Sequence, residues 1–255
     1  MDFLTAAYTD VGLKRDKNED SILIEVAKVE SEKVCFVVIC DGMGGLFKGE
    51  LASAALVRAF SNWFEQELPE CYYAGMDERQ IQAGMEQVIS KTANRIEKYA
   101  RNQNARIGTT VTAMLLTGQK YYIIHIGDTR AYELTDQLYQ LTKDQTFIQQ
   151  EMDLGRMTPE EAKRDSRRNM LLQCVGASDF MEPEFLTGTV KKDATYLLCS
   201  DGFRHVLTTE EIYQYLNPRE LVEENDMKNQ LVYLTELNKY RKEKDNISVI
   251  AVKTC

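Results

Sequence analysis

The sequence predicts an α+β chain whose sheet is at least partly antiparallel. Three observations lead there: apolar runs of strand length recur along the chain, segments of helical period interrupt them, and some runs are joined by connections too short for a parallel crossover. Taken in order, Ile22–Val29 and Val34–Cys40 are strand-length runs rich in Ile and Val. Glu50–Glu67 has helical period. Ile81, Met85, Val88, Ile89, Thr92, Ile96 and Tyr99 then recur at three- and four-residue steps, the mark of a long amphipathic helix. Thr110–Leu116, Tyr121–Ile126 and Ala131–Leu134 are separated only by Thr117–Lys120 and Gly127–Arg130. Such links make hairpins, whereas a parallel crossover needs a dozen residues or more, so a doubly wound nucleotide fold is disfavoured. Thr158, Pro159 and Glu161 read as an N-cap, a proline at N1 and a capping-box glutamate. Thr195–Cys199 is a further strand, Leu231, Leu234, Leu237 and Tyr240 mark a helix, and Ile247–Val252 closes the series. The apolar stripes on these helices read as core-facing.

Composition narrows the function. The chain has 255 residues, with 31 Lys+Arg against 40 Asp+Glu and a net charge of −9. At 44% hydrophobic and 28% charged it is an ordinary globular composition. The acid excess argues against nucleic acid as a partner, since phosphate backbones need clustered Lys and Arg. With only two histidines, a metal site built on imidazole is excluded, and any metal must be held by oxygen. The start, Met1 to Tyr8, has no basic segment ahead of an apolar one, and no apolar run approaches the ~20 residues of a membrane span. Of the six cysteines, Cys35, Cys40 and Cys199 sit inside strand runs, Cys71 and Cys174 lack C-x-x-C partners, and Cys255 is terminal. Reduced thiols and a cytoplasmic location without membrane contact are expected. No linker or repeat divides the chain, so one domain over 1–255 is expected.

The chemistry-bearing pattern is an aspartate at a strand end. Asp41-Gly42, Gly127-Asp128 and Asp201-Gly202 each follow an apolar run, while Asn18-Glu19-Asp20 and Asp245-Asn246 each precede one. One Asp-Gly is an ordinary turn dipeptide. Several in one sheet system can converge, and converging carboxylates need a cation to offset their repulsion. Hard oxygen ligands favour Mg²⁺ or Mn²⁺, and two such ions can activate a water for a displacement. The glycine-rich stretch from Gly42 to Gly49 is neither a Walker loop, because Lys48 precedes Gly49, nor a dinucleotide fingerprint, because Phe47 holds the sixth position.

These residues resemble the metal-dependent serine/threonine phosphatases of the protein phosphatase 2C (PPM) family, in its bacterial form. Asp41-Gly-Met-Gly-Gly continuing to Ser53 matches the family signature. In family order come Gly12 to Asp20 (G-x-x-R-x-x-N-E-D), Gly108-Thr109-Thr110, Gly127-Asp128-Thr129-Arg130, Leu141 to Asp144, Arg168-Asn169, Ser200-Asp201-Gly202 and Asp245-Asn246. The resemblance runs from about Tyr8 to Val252. It implies a four-layer αββα fold, a central antiparallel β-sandwich flanked by helices with a dinuclear Mn²⁺ or Mg²⁺ site at one end. Asp41 would bridge two ions, Gly42 would offer its carbonyl, and Asp201 and Asp245 would complete the ligands of the first. Asp20 and Glu19 would hold metal waters, and Asp128 with Asp201 would form a third, weaker site. Arg15 would grip the substrate phosphate. Residues 144–168 would correspond to the family's flap, whose Arg164, Arg167 and Arg168 either guide acidic phosphopeptides or solvate a helix face.

The reaction implied is attack of a metal-activated water on phosphoserine or phosphothreonine, opposing a serine/threonine kinase. No cysteine is needed, and none of the six has Arg at the sixth following position, which excludes the tyrosine-phosphatase loop. Met43 and Gln145 stand where many members carry histidine, which leaves a metal-shell water as the preferred proton donor, His205 as a candidate, and His125 as a core residue. The alternatives are a non-catalytic pseudophosphatase that binds phosphoproteins, and a hydrolase of small phosphate esters.

Overall fold

The run Val-Cys-Phe-Val-Val-Ile-Cys at 34–40 offers no polar face, as a strand buried on both sides requires. A computed structural model describes residues 1–29, 32–44, 48–73, 75 and 77–255 and sets this run at the centre of β3 (Glu32–Gly44). Its side chains alternate. Val34, Phe36, Val38 and Cys40 pack beneath helices, and Cys35, Val37 and Ile39 face a second sheet.

The first sheet runs β2 (Asp20–Val29), β3, β5 (Val111–Leu116), β6 (Lys120–Ile126), β9 (Glu184–Thr189), with β4 (Ile107–Thr109) paired to the end of β3. The second runs β1 (Phe3–Asp10), β11 (Ile247–Thr254), β10 (Thr195–Cys199), β7 (Arg130–Leu134), β8 (Leu138–Gln140). Every named pairing is antiparallel. Helices α1 (Gly49–Gln66) and α3 (Glu78–Asn102) cover the first sheet, through Leu56, Phe60, Trp63, Ile81, Met85 and Ile89. Helices α7 (Thr209–Leu216) and α8 (Glu224–Tyr240) cover the second, through Ile212, Leu216, Leu231 and Leu234. Three apolar layers therefore separate four structural ones, and the expected sandwich flanked by helices is the observed fold.

The remaining helices are short: α2 (Leu68–Tyr73), α4 (Phe147–Asp153), α5 (Pro159–Ala162) and α6 (Asp201–Arg204). The capping box foreseen at Thr158 opens α5, with Glu161 Oε2 accepting from the Thr158 amide at 2.8 Å. Residues 144–168 leave the sandwich and return to it through a closed stem, in which the Phe147 amide donates to the Met170 carbonyl at 2.9 Å and the Leu172 amide to the Gln145 carbonyl at 2.9 Å. Cys35, Cys40 and Cys199 are free and buried, as their strand context predicts. Among the described residues no helix is long and apolar enough to cross a membrane.

Candidate metal and phosphate site

Antiparallel register carries the aspartates to one end of the sandwich. Asp20, where β2 begins, is the direct ladder partner of Asp41 near the exit of β3. Cys199, the last residue of β10, lies opposite Arg130 at the start of β7 and Val249 in β11. Asp201 just after β10, Asp128 just before β7 and Asp245 just before β11 therefore meet at the same end.

Two of the Asp-Gly pairs are not turns, contrary to the ordinary reading of that dipeptide. Gly42 lies inside β3, where a Cβ would stand 2.4 Å from the Gly49 carbonyl oxygen and 2.5 Å from that of Glu19. Gly202 sits in α6, where a Cβ would stand 2.1 Å from the Asn246 carbonyl oxygen. Glycine here lets a neighbouring backbone close in on the aspartate. Gly45 and Phe47 lie outside the described residues.

The carboxylates are mutually unfavourable. Burial first, then the charges of Asp20, Asp201, Asp128 and Asp245, hold Asp41 well above the usual carboxylate range. Burial and the charges of Asp201 and Asp245 push Asp20 up to about 7, and the nearby Ser248 and Ser200 hydroxyls, which make no hydrogen bond to it, offset only part of that. Burial and Asp201 push Asp128 up to about 7, with Arg204 opposing. Asp201 is raised by burial in the same way, with His205 and Arg204 opposing. Both Asp20 oxygens and Asp201 Oδ1 are buried without a hydrogen-bond partner. Orphaned oxygens and crowded negative charge are what an oxygen-ligated divalent cation satisfies, and the donor set suits Mg²⁺ or Mn²⁺. Among the described residues no group of three or more His, Cys, Asp or Glu side chains is placed to hold an ion by itself. An ion held here would keep much of its shell as water, the habit of both metals.

Around these groups the first loop is clamped. Asn246 donates from Nδ2 to the carbonyls of Val11 at 2.9 Å and Lys17 at 3.0 Å, and its Oδ1 accepts from the Glu19 amide at 2.9 Å. Asn18 Nδ2 donates to Thr9 Oγ1 at 2.7 Å, while its Oδ1 accepts from the Asp20 amide at 3.1 Å. Glu19 accepts the Gly49 amide at 3.0 Å, at the start of α1. The clamp presents Arg15 at the rim, its side chain 48% exposed and its guanidinium 2.8 Å from Asp245 Oδ2. Arg15 also lies in the field of Glu19 and Asp41, which with Asp245 raises its pKa.

A second buried acid behaves differently. Asp144 takes a fork from Arg130, Nε to Oδ1 at 2.6 Å and Nη2 to Oδ2 at 2.7 Å, and a further bond from Arg204 at 3.2 Å. Burial alone would raise it, but these cations hold it below its ordinary value. Arg204 reaches on to Asp128, 3.0 Å from its carbonyl and 3.8 Å from its carboxylate.

His205 lies between two acids, Nε2 3.3 Å from Asp201 Oδ2 and Nδ1 3.5 Å from Glu243 Oε2. Burial lowers its pKa, but Glu243 and Asp201 outweigh that and raise it. Its ring is 24% exposed. His125 is the core residue its strand predicts: Nδ1 meets Thr112 Oγ1 at 2.9 Å, Nε2 donates to the Lys143 carbonyl at 3.1 Å, and burial lowers it to about 4. Gln145 supports the Gly127 turn, its Oε1 accepting from the Gly127 amide at 2.9 Å. Met43 is 40% exposed. Arg167 is paired to Asp165 at 2.7 Å and lies over the Phe147 ring at 4.3 Å. Asn246, Arg204 and Glu243 were not singled out for these contacts by sequence. A cleft of about 780 Å³ opens beside the site, with Arg15, Asp128, Asp144, Arg168, His205 and Asp245 in its walls.

The family model described as protein phosphatase 2C matches residues 14–235. The chain is 34% identical over 219 residues to the serine/threonine protein phosphatase PstP of Mycobacterium tuberculosis, covering 86% of this chain but 40% of that protein. It is 30% identical over 248 residues to the serine/threonine phosphatase stp of Listeria innocua, covering 96% of this chain and 93% of that one. A crystal structure of the PstP catalytic domain in complex with two manganese ions superposes with a TM-score of 0.77 at 31% identity, covering 98% of this chain and 97% of that chain.

Proposed function

The chain belongs to the protein phosphatase 2C family, the metal-dependent serine/threonine protein phosphatases, and from that premise we propose how its own residues act on phosphoserine and phosphothreonine in proteins. The observation that carries the reading is the gathering of Asp20, Asp41, Asp128, Asp201 and Asp245, with orphaned oxygens on Asp20 and Asp201 and with Asp20, Asp41, Asp128 and Asp201 raised by burial and mutual charge.

Asp41, the Gly42 carbonyl, Asp201 and Asp245 would hold two Mn²⁺ or Mg²⁺ ions, with Asp20 and Glu19 holding waters of their shells. Asp128, whose carboxylate stands 3.8 Å from Arg204, would form with Asp201 the weaker, third site. When bound, such ions acidify a water and neutralise charge on the phosphoryl oxygens. Arg15 exchanges Asp245 for the phosphate, whose oxygens match the guanidinium fork. Asn246 and Asn18 position that arginine and Glu19 by fixing the loop that carries them.

The leaving alkoxide needs a proton. A water in the metal shell is the preferred donor, and His205 is the candidate among side chains, because Asp201 and Glu243 favour its charged form. In a His205→Ala variant, a kcat that keeps its decline at alkaline pH unchanged removes His205 from that role. We read 1–255 as one catalytic domain with 144–168 as a flap-like insertion, acting in the cytoplasm against a serine/threonine kinase.

The test is phosphate release from a phosphothreonine peptide with Mn²⁺ and with EDTA, beside a nucleotide monophosphate. Metal-dependent release that favours the peptide is expected. Turnover that survives EDTA ends the reading, and binding at saturating Mn²⁺ without turnover turns the chain into a phosphoprotein-binding module.

A further inference from the structure

The rim of the cleft beside the carboxylates carries cationic side chains that have no partner of their own. Lys14, Lys163, Arg168, Lys242 and Lys244 line it, all are exposed, and their side chains have neither an ion pair nor a hydrogen bond among the described residues. Acids outnumber bases 40 to 31 in the chain, and of the cations near the cleft Lys17, Lys143, Arg156 and Arg241 are paired, with Glu50, Asp153, Glu151 and Glu211, while these five gather unpaired at one rim. The free cations come from three separate segments: the loop after β1, the stretch from α5 to residue 168, and the turn after α8. In that last turn Lys242 adopts φ 66°, the left-handed conformation that favours glycine, and still a lysine stands there.

We propose that this rim makes the enzyme selective for phosphosites with negative charge on either side of the phosphorylated residue. The phosphoryl group goes to the aspartate centre and Arg15. Flanking anionic groups of the same peptide, Asp or Glu carboxylates or further phosphates, lie against Lys163 and Arg168 on one segment and Lys242 and Lys244 on the other. Asp128, Asp144, Glu243 and Asp245 share the cleft walls, but cations outnumber them there, and an excess of one sign concentrates the opposite sign and speeds its arrival. Of the flap arginines, this assigns substrate contact to Arg168 and withholds it from Arg167. The proposal rests on the phosphatase reading and deepens it.

The experiment compares kcat/KM of the Mn²⁺-loaded chain on peptides of one length with a single central phosphothreonine and neutral, Asp/Glu or Lys flanks, and on one with a second phosphate as its flank. At low salt the anionic peptides should exceed the neutral one by about 10-fold, chiefly through KM, and the lysine-flanked peptide should fall below it. High salt should shrink the advantage several-fold. Preference for either anionic flank supports the proposal, and their ratio tells carboxylate from phosphate. The paired substitutions Lys163→Glu with Arg168→Glu, and Lys242→Glu with Lys244→Glu, should each cut the anionic-to-neutral ratio several-fold. Efficient turnover of the neutral peptide with no anionic preference overturns the proposal and leaves the phosphatase reading standing. A preference untouched by both pairs overturns the role of these residues. No turnover of any peptide overturns the phosphatase reading itself.

Discussion

Two buried groups of acids lie side by side at the end of the sandwich, and they are solved in opposite ways. Asp144 is surrounded by its own cations, a fork from Arg130 and a bond from Arg204, and its pKa falls below the ordinary value although burial works against it. Asp20, Asp41 and Asp201 are as deeply set in their surroundings but face one another, and burial with mutual charge raises all three. The fold can evidently build a buried ion pair where it wants one. At the second group the carboxylates keep most of their mutual repulsion, which an ion bound at the proposed site would relieve. Arg204 marks the boundary, bonded to Asp144 on one side and 3.8 Å from Asp128 on the other.

The sharpest way to break this contrast is to change one acid from each group. Asp41→Asn should lower kcat on a phosphopeptide by about 10³-fold or more, yet raise the urea midpoint of the metal-free protein, because a repelling charge is gone. Retained turnover, or a lower midpoint in EDTA, would contradict the picture of a repulsive centre. Asp144→Ala should do the reverse to stability, costing about 3 kcal/mol by leaving buried guanidiniums unpaired. A urea midpoint within error of the parent would show that the Arg130 fork is dispensable.

A smaller effect separates the groups by pH. Asp20 and Asp128 ionise near 4 in the unfolded chain and at about 7 in the fold. Between these values the unfolded chain holds fewer protons, so stability is full below about pH 4 and drains as pH rises toward 7. Asp144, being lowered, contributes above its ordinary value and loses that contribution only in stronger acid. His125, neutral in the fold down to about 4, costs stability as pH falls below about 6.5, but it does so with or without metal. The stabilisation added by a fixed Mn²⁺ concentration should therefore grow by about 2 kcal/mol from pH 5 to pH 8, read as the difference between urea curves with Mn²⁺ and with EDTA. A difference flat in pH would mean that the ion does not bind at these carboxylates.

Much of this was legible in the sequence, and the failures have physical causes. The central strands announced themselves because both faces are buried, as Val34–Cys40 illustrates. β1 did not, since Phe-Leu-Thr-Ala-Ala-Tyr-Thr-Asp is a small-residue strand at a sheet edge, paired to β11 alone. β4, β8 and β9 are short or lie at an edge, where little apolar pattern is needed. The aspartates were readable from strand ends and motif order, and register brings them together. Their glycines were harder: Gly42 and Gly202 look like turn residues and are points of close backbone approach. Asn246, Arg204 and Glu243 act across the chain, Asn246 on Val11 and Arg204 on Asp144, and no local pattern encodes such a partner.

The pairing of Asp20 with Asp41 across the β2–β3 ladder has a consequence for assembly. Both strands carry apolar residues on their two faces, so hydrocarbon burial alone does not single out one alignment. A slip of one residue, however, turns every side chain of one strand to the opposite face. The two carboxylates would then point away from each other and share no ion. Since a ligand that binds only the native form stabilises it by mass action, a metal bound at the proposed site would also reward the one correct alignment of β2 with β3, acting as a proofreader of the strand register that builds that site.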